Sequence, residues 1–308
     1  MLQTIKKSIN NYDPYGMLQV NATQALAVAL SLLFINASYK FPLFEEIMLL
    51  PFLGIIITGG IFGYYPRIKA FIVFSLFSIL YTIIFCLINS YLTIILFTMA
   101  LLVPLLFFLG RRYYAPLLSM VGVIQVCVFV FCQIPNSGNY DELTQIIVAL
   151  LLVTLLGVGL MSLFPKVYFF RVWRRALYLT IHEFSETIYL FKIKQLNPQQ
   201  LWFKHLVSLN SFTQGLHNDI YAFSARRVSL RLTKIYTALM PLFYHITQIE
   251  THELESIINL CKALCLAIEK NQTLHSWSTI NSTNTHFLKL QCNFNYVIKS
   301  WNELCLKN

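Results

Sequence analysis

The chain has 308 residues, of which 57% are hydrophobic and 12% charged, with a formal net charge of +10 and a mean hydropathy of +0.62. Such a composition belongs to a membrane protein and argues against a water-soluble enzyme. The positive balance comes without any nucleic-acid-binding motif, which argues against a nucleic-acid partner.

Six membrane spans are expected in chain order, at about Asn21–Ser38, Ile47–Tyr64, Ala70–Ile88, Leu92–Gly110, Ala115–Ile134 and Leu143–Phe164. The sharpest signal is the run of 41 uncharged residues between Lys69 and Arg111. As one helix it would be ~60 Å long, about twice the hydrocarbon thickness of a bilayer, so a turn at Asn89-Ser90-Tyr91 must fold it into a hairpin. The stretches Asp13 to Lys40, Glu46 to Arg67, Arg112 to Asp141 and Glu142 to Lys166 each enclose one further crossing.

The loops set the orientation. Lys6 and Lys7 precede the first span, Arg67 and Lys69 separate the second and third, and Arg111 and Arg112 separate the fourth and fifth. Lys166, Arg171, Arg174 and Arg175 follow the sixth, whereas the alternate loops hold Lys40, Glu45, Glu46, Asp141 and Glu142. By the positive-inside rule both termini are cytoplasmic, in a bacterial-type inner membrane. The first span lacks a small-residue cleavage site, so no cleavable signal peptide is expected. Seven cysteines, an odd number, are spread over the chain; those of the second half face a reducing compartment and are not expected to form disulfides.

From Lys166 the character changes, and apolar residues recur at helical spacing. Residues 166–308 are expected to form a cytoplasmic all-helical domain after a transmembrane domain over 1–165. Its helices are expected at about Val167–Leu196, Pro198–Asp219, Ala222–Ile249, His252–Asn271 and Thr285–Leu306. Asn197-Pro198 supplies a helix start, and Gln272–Asn284 reads as a polar loop.

No catalytic, metal-binding or cofactor-binding set emerges. His182, Glu183 and Glu186 have a spacing that places two ligands on one helix face, but the second histidine of a zinc-protease motif is missing. Cys261 and Cys265 share the apolar stripe of Ile257, Ile258, Leu264 and Ile268, so core packing outweighs chemistry. Arg171, Arg174 and Arg175 read as anchors at an anionic leaflet. Arg227, Arg231 and Lys234 make one stripe of a helix, which reads as a solvated face by default, with a lipid-facing face or part of an anion entrance as the alternatives.

Within the spans, Gln24, Gln125 and Gln133 stand out, because each amide brings several polar groups that need partners in hydrocarbon. Together with Arg67, Arg111 and Arg112 at the cytoplasmic mouth they are the candidate substrate path for a small organic anion. Gly59 and Gly63 make a small-x-x-x-small pair in the second span and are expected to pack it closely against another helix.

Three segments carry a family resemblance. They are the small-residue opening Asn21-Ala22-Thr23-Gln24-Ala25-Leu26-Ala27-Val28-Ala29, the Pro66–Lys69 turn before the third span, and the basic exit Phe170-Arg171-Val172-Trp173-Arg174-Arg175. With the six-span layout and a following helical domain, the chain resembles the fusaric acid resistance and aromatic acid exporter family. The resemblance implies efflux of aromatic carboxylates across the inner membrane. Many members carry two such blocks, so a single block implies a homo-oligomer, a dimer that rebuilds the pair. It departs at the start of the third span, where Ala70-Phe71-Ile72-Val73 replaces a Gly-rich stretch. The lipid bilayer and a small organic anion are thus the expected partners. The alternative is a non-transporting membrane scaffold whose helical domain binds a partner.

Overall fold

The computed structural model describes residues 12–39, 49–59, 61–88, 92–132, 140–163, 167–193, 204–216, 221–244, 251–275 and 285–306. Among these residues every regular element is an α-helix. The chain divides into two compact units, Met17–Lys166, and Val167–Asn308 together with Met1–Gly16.

The first unit contains α1 (Met17–Tyr39), α2 (Leu49–Thr58), α3 (Tyr64–Ile88), α4 (Leu92–Tyr113), α5 (Leu117–Cys132) and α6 (Tyr140–Leu163). Among the described residues, three segments are long and apolar enough to cross a membrane: Met17–Ser38, Tyr64–Ile84 and Thr144–Leu163. Their outward side chains are large and apolar, as with Leu26, Leu30 and Phe34 on α1 and Leu151, Leu152 and Leu155 on α6. An apolar surface of that kind is stable against lipid or another protein rather than against water.

The second expected span, Ile47–Tyr64, takes a different form. Its described helix, α2, has ten residues, about 15 Å and half the hydrocarbon thickness. It stops because Gly59 turns and Gly63 takes φ +110°, a conformation closed to a continuing helix. The next helix then begins at Tyr64, before the expected Ala70, and draws Arg67 and Lys69 into its first turns. The turn expected at Asn89-Ser90-Tyr91 lies outside the described residues.

Packing in this unit centres on Phe71, which is fully buried. Its ring lies where Gly54 of α2 and Gly157 of α6 have no side chain: a Cβ on Gly54 would stand 2.7 Å from Phe71 Cε2, and one on Gly157 2.8 Å from Phe71 Cζ. α3 accordingly packs on α2, α4, α5 and α6, with Phe74, Met120, Ile124 and Leu150 filling the core around Phe71. Tyr81 Oη donates to Leu102 O at 2.9 Å and ties α3 to α4.

The second unit contains α7 (Val167–Lys192), α8 (Lys204–Gly215), α9 (Ala222–Tyr244), α10 (Thr251–Lys270) and α11 (Thr285–Cys305). α7 packs on α8 and α10, and α9 on α8 and α11. Burying the apolar stripe of each helix is what holds such short amphipathic segments together. Trp173 and Trp301 are fully buried and keep their indole N–H groups bonded, to Thr213 Oγ1 and to Gln272 O, each at 2.9 Å. Asn271, at φ 53°, ends α10 in the left-handed conformation that returns the Gln272 N–H to Ala267 O.

Candidate functional site

The most unusual group in the first unit is Arg67. Its side chain is 1% exposed. Nη1 donates to Gln24 Oε1 at 2.6 Å, and Nη2 donates to Gly59 O at 3.0 Å and to Asn21 Oδ1. Asn21 Nδ2 also donates to Gly59 O, at 2.8 Å. These three acceptors are amide and backbone oxygens, which suit guanidinium donors.

Local structure assembles the cluster. Asn21 and Gln24 are one turn apart on α1 and share a face. Gly59 follows the last residue of α2, so its carbonyl has no place in a continuing helical ladder and is open to side-chain donors. Arg67 reaches it from the first turn of α3. Gly59 is required by space: a Cβ there would fall 2.6 Å from Asn21 Nδ2 and 2.8 Å from Ile56 O. One guanidinium therefore links α1, α2 and α3.

Arg111, Arg112 and Gln125 do not join it. Arg111 and Arg112 are exposed in the last turn of α4, where positive charge favours the helix end, and Arg112 Cζ stands 5.5 Å from the Tyr113 ring centre. Gln125 Nε2 on α5 is buried with no hydrogen-bond partner among the described residues, as are Ser75 Oγ and Ser78 Oγ on α3 and Thr154 Oγ1 on α6. Gln133 lies outside the described residues.

The glycine pair needs correcting. Gly59 and Gly63 do not share a helix face, because α2 ends at Thr58 and α3 begins at Tyr64. Gly63 serves the backbone through its positive φ, whereas close helix approach uses Gly54 and Gly157. Asn21 and the Gly59 carbonyl are the site groups that sequence reasoning missed. The only available signal was an asparagine and a glutamine three residues apart in an otherwise apolar helix.

In the second unit, Tyr15 Oη and His205 Nδ1 are 2.8 Å apart, and the Tyr15 ring meets His205 and Phe212 edge-on. The His205 backbone N–H donates to Glu183 Oε2 at 3.4 Å, which places a carboxylate of α7 at the N-terminus of α8. Burial raises the Glu183 carboxyl above its ordinary range against the lowering effect of these backbone donors and of Lys204. Burial lowers the His205 imidazole, helped by Lys204 and His182. His182 and Glu186 form an exposed pair at 3.6 Å. Cys261 is fully buried and Cys265 nearly so; burial pushes the Cys265 thiol up to about 12, a packing environment rather than a reactive one. Among the described residues no group of three or more His, Cys, Asp or Glu is placed to hold a metal ion.

Comparison of the chain with protein-family models, with curated proteins and with solved structures finds no match.

Proposed function

We propose that the chain is a six-span inner-membrane permease that exports small organic anions, with aromatic carboxylates as the first class to test, and that two copies form the working unit. The observation that carries this reading is Arg67, a guanidinium enclosed in an apolar helical unit and hydrogen-bonded to Gln24, Asn21 and Gly59. A charge at such a site is costly and marks a functional position more often than a structural one. The planar guanidinium fork is the geometry that suits a carboxylate. The Gln125 Nε2, Ser75, Ser78 and Thr154 groups, buried and without a hydrogen-bond partner among the described residues, support a polar route, because such atoms call for water or a ligand.

The test is uptake and sensitivity in cells. Loss of the gene should raise both accumulation of and sensitivity to aromatic carboxylic acids, and Arg67→Lys should reproduce the loss with normal membrane insertion. If gene deletion alters neither across a panel of such acids, export fails and the scaffold reading replaces it. Reporter fusions at Ser137 should read periplasmic, and fusions at Arg112 and Asn308 cytoplasmic. A cytoplasmic signal at Ser137 refutes the six-span topology.

A further inference from the structure

The α9–α11 pair has one face on which charge is strongly one-sided. α9 has no acidic residue, and α11 has only Glu303. The exposed positions of α9 include Phe223, Arg226, Arg227, Leu230 and Lys234, at helical spacing. Those of α11 include Leu288, Lys289, Tyr296 and Lys299. Contacts across the pair make this a single face: Arg231 Cζ stands 4.1 Å over the Tyr296 ring, and Arg227 Nη1 lies 3.5 Å from Glu303 Oε2. Arg227 Cζ also stands 4.1 Å over the Phe223 ring. In contrast, α7 and α10 of the same unit mix signs, with Glu183, Glu186, Glu253, Glu255 and Glu269 among their basic residues.

We propose that this face is a docking surface for an anionic phospholipid bilayer. A solvated basic face has no use for Phe223 at 62% and Leu230 at 58% exposure. An acidic protein or a nucleic acid would engage the cations but has little to offer an aliphatic leucine set between them. A bilayer engages both: lipid phosphates take the arginines and lysines, and the acyl boundary takes Phe223, Leu230 and Leu288. Rings held against the guanidiniums keep the cations in place beside the apolar groups. Next to Tyr296 and Lys299 the surface is hollowed into an open cleft of about 460 Å³, also lined by Leu288 and Cys292. The proposal rests on the membrane-spanning reading for the tether that keeps a bilayer within reach, and not on export.

Lysine footprinting of the full chain in nanodiscs tests it. The two bilayers are phosphatidylcholine alone and phosphatidylcholine with roughly a third phosphatidylglycerol. A lysine-reactive ester read by mass spectrometry should label Lys234, Lys289 and Lys299 about threefold more slowly in the anionic bilayer, with the difference erased by high salt. Lys262 and Lys270 on α10 should not change. Phe223→Ser with Leu230→Ser, both at exposed positions, should weaken the protection. Equal labelling in the two bilayers overturns the proposal, as does unchanged protection in the serine variant. Protection by polyglutamate added to neutral nanodiscs equal to that by anionic lipid overturns it in favour of an acidic protein. A chain that is not retained in nanodiscs at all removes the membrane reading and this proposal together. Retention with equal labelling removes this proposal alone.

Discussion

Replacing Arg67 by methionine keeps most of the side-chain volume and deletes the donors. Gly59 O retains Asn21 Nδ2 at 2.8 Å, so it stays satisfied. Gln24 Oε1 and Asn21 Oδ1 lose the donors found here and become buried acceptors without these bonds. Each orphaned acceptor costs about 1–3 kcal/mol in water-soluble proteins, whereas hydrogen bonds between membrane helices average about 0.6 kcal/mol. Arg67→Met should therefore destabilise the first unit by about 1–6 kcal/mol, with about 3 kcal/mol as the working value. The partner substitution decides the cause. Gln24→Leu in the Arg67→Met background removes one orphan and adds apolar contact, so the double variant should regain about 1–2 kcal/mol relative to Arg67→Met. The assay is reversible unfolding of the detergent-solubilised full chain by sodium dodecyl sulfate, followed by circular dichroism. If Arg67→Met unfolds with the wild-type free energy, or if Gln24→Leu deepens the loss by its full single-variant cost, the cluster is not the link between α1, α2 and α3.

Gly157→Val should lower folded yield by forcing the Phe71 ring from its site, at about 1–3 kcal/mol, and Gly157→Val with Phe71→Leu should recover part of it in the same assay. Gly159→Ala and Gly122→Ala, where an added Cβ meets nothing within 4 Å, should instead be neutral or stabilising by up to about 1 kcal/mol. Gly63→Ala should cost about 1 kcal/mol or more, because φ +110° strains any L side chain; a melting temperature equal to wild type would contradict this. In the second unit, burial raises the Glu183 pKa above its ordinary 4.5, so its favourable contribution holds at acid pH and fades as pH rises through the folded-state value. Glu183→Gln should thus raise the melting temperature relative to wild type more at about pH 7 than at about pH 4. His205 has the opposite sign: its lowered value makes its contribution present above its ordinary 6.5 and lost on acidification. A Glu183→Gln effect that is flat with pH would show that folding does not raise the Glu183 pKa.

Helical class was legible from the residues alone. Long charge-free runs with no strand alternation leave the helix as the way to satisfy the backbone, and α1, α3 and α6 are long and apolar enough to cross a membrane. In the second half the apolar stripe of Ile257, Cys261, Leu264, Cys265 and Ile268 is local information, and all five side chains are buried in α10. Arg67 shows where local information ends. In the sequence it is one loop arginine among several, alike in type to Arg111 and Arg112. Its burial depends on Gln24 and Asn21, 43 and 46 residues away, and on a carbonyl that α2 leaves open where it stops short. The glycines follow the same rule. Gly59 and Gly63 have the spacing of a packing pair, but one helix ends at Thr58 and the next begins at Tyr64, whereas Gly54 and Gly157 have no spacing to reveal them because they lie against the Phe71 ring from two different helices. Periodicity is a property of one helix and can be read from its residues. Which charge is enclosed, and which glycine admits a neighbour, depends on pairs of helices whose distance in the chain carries no signal until they pack.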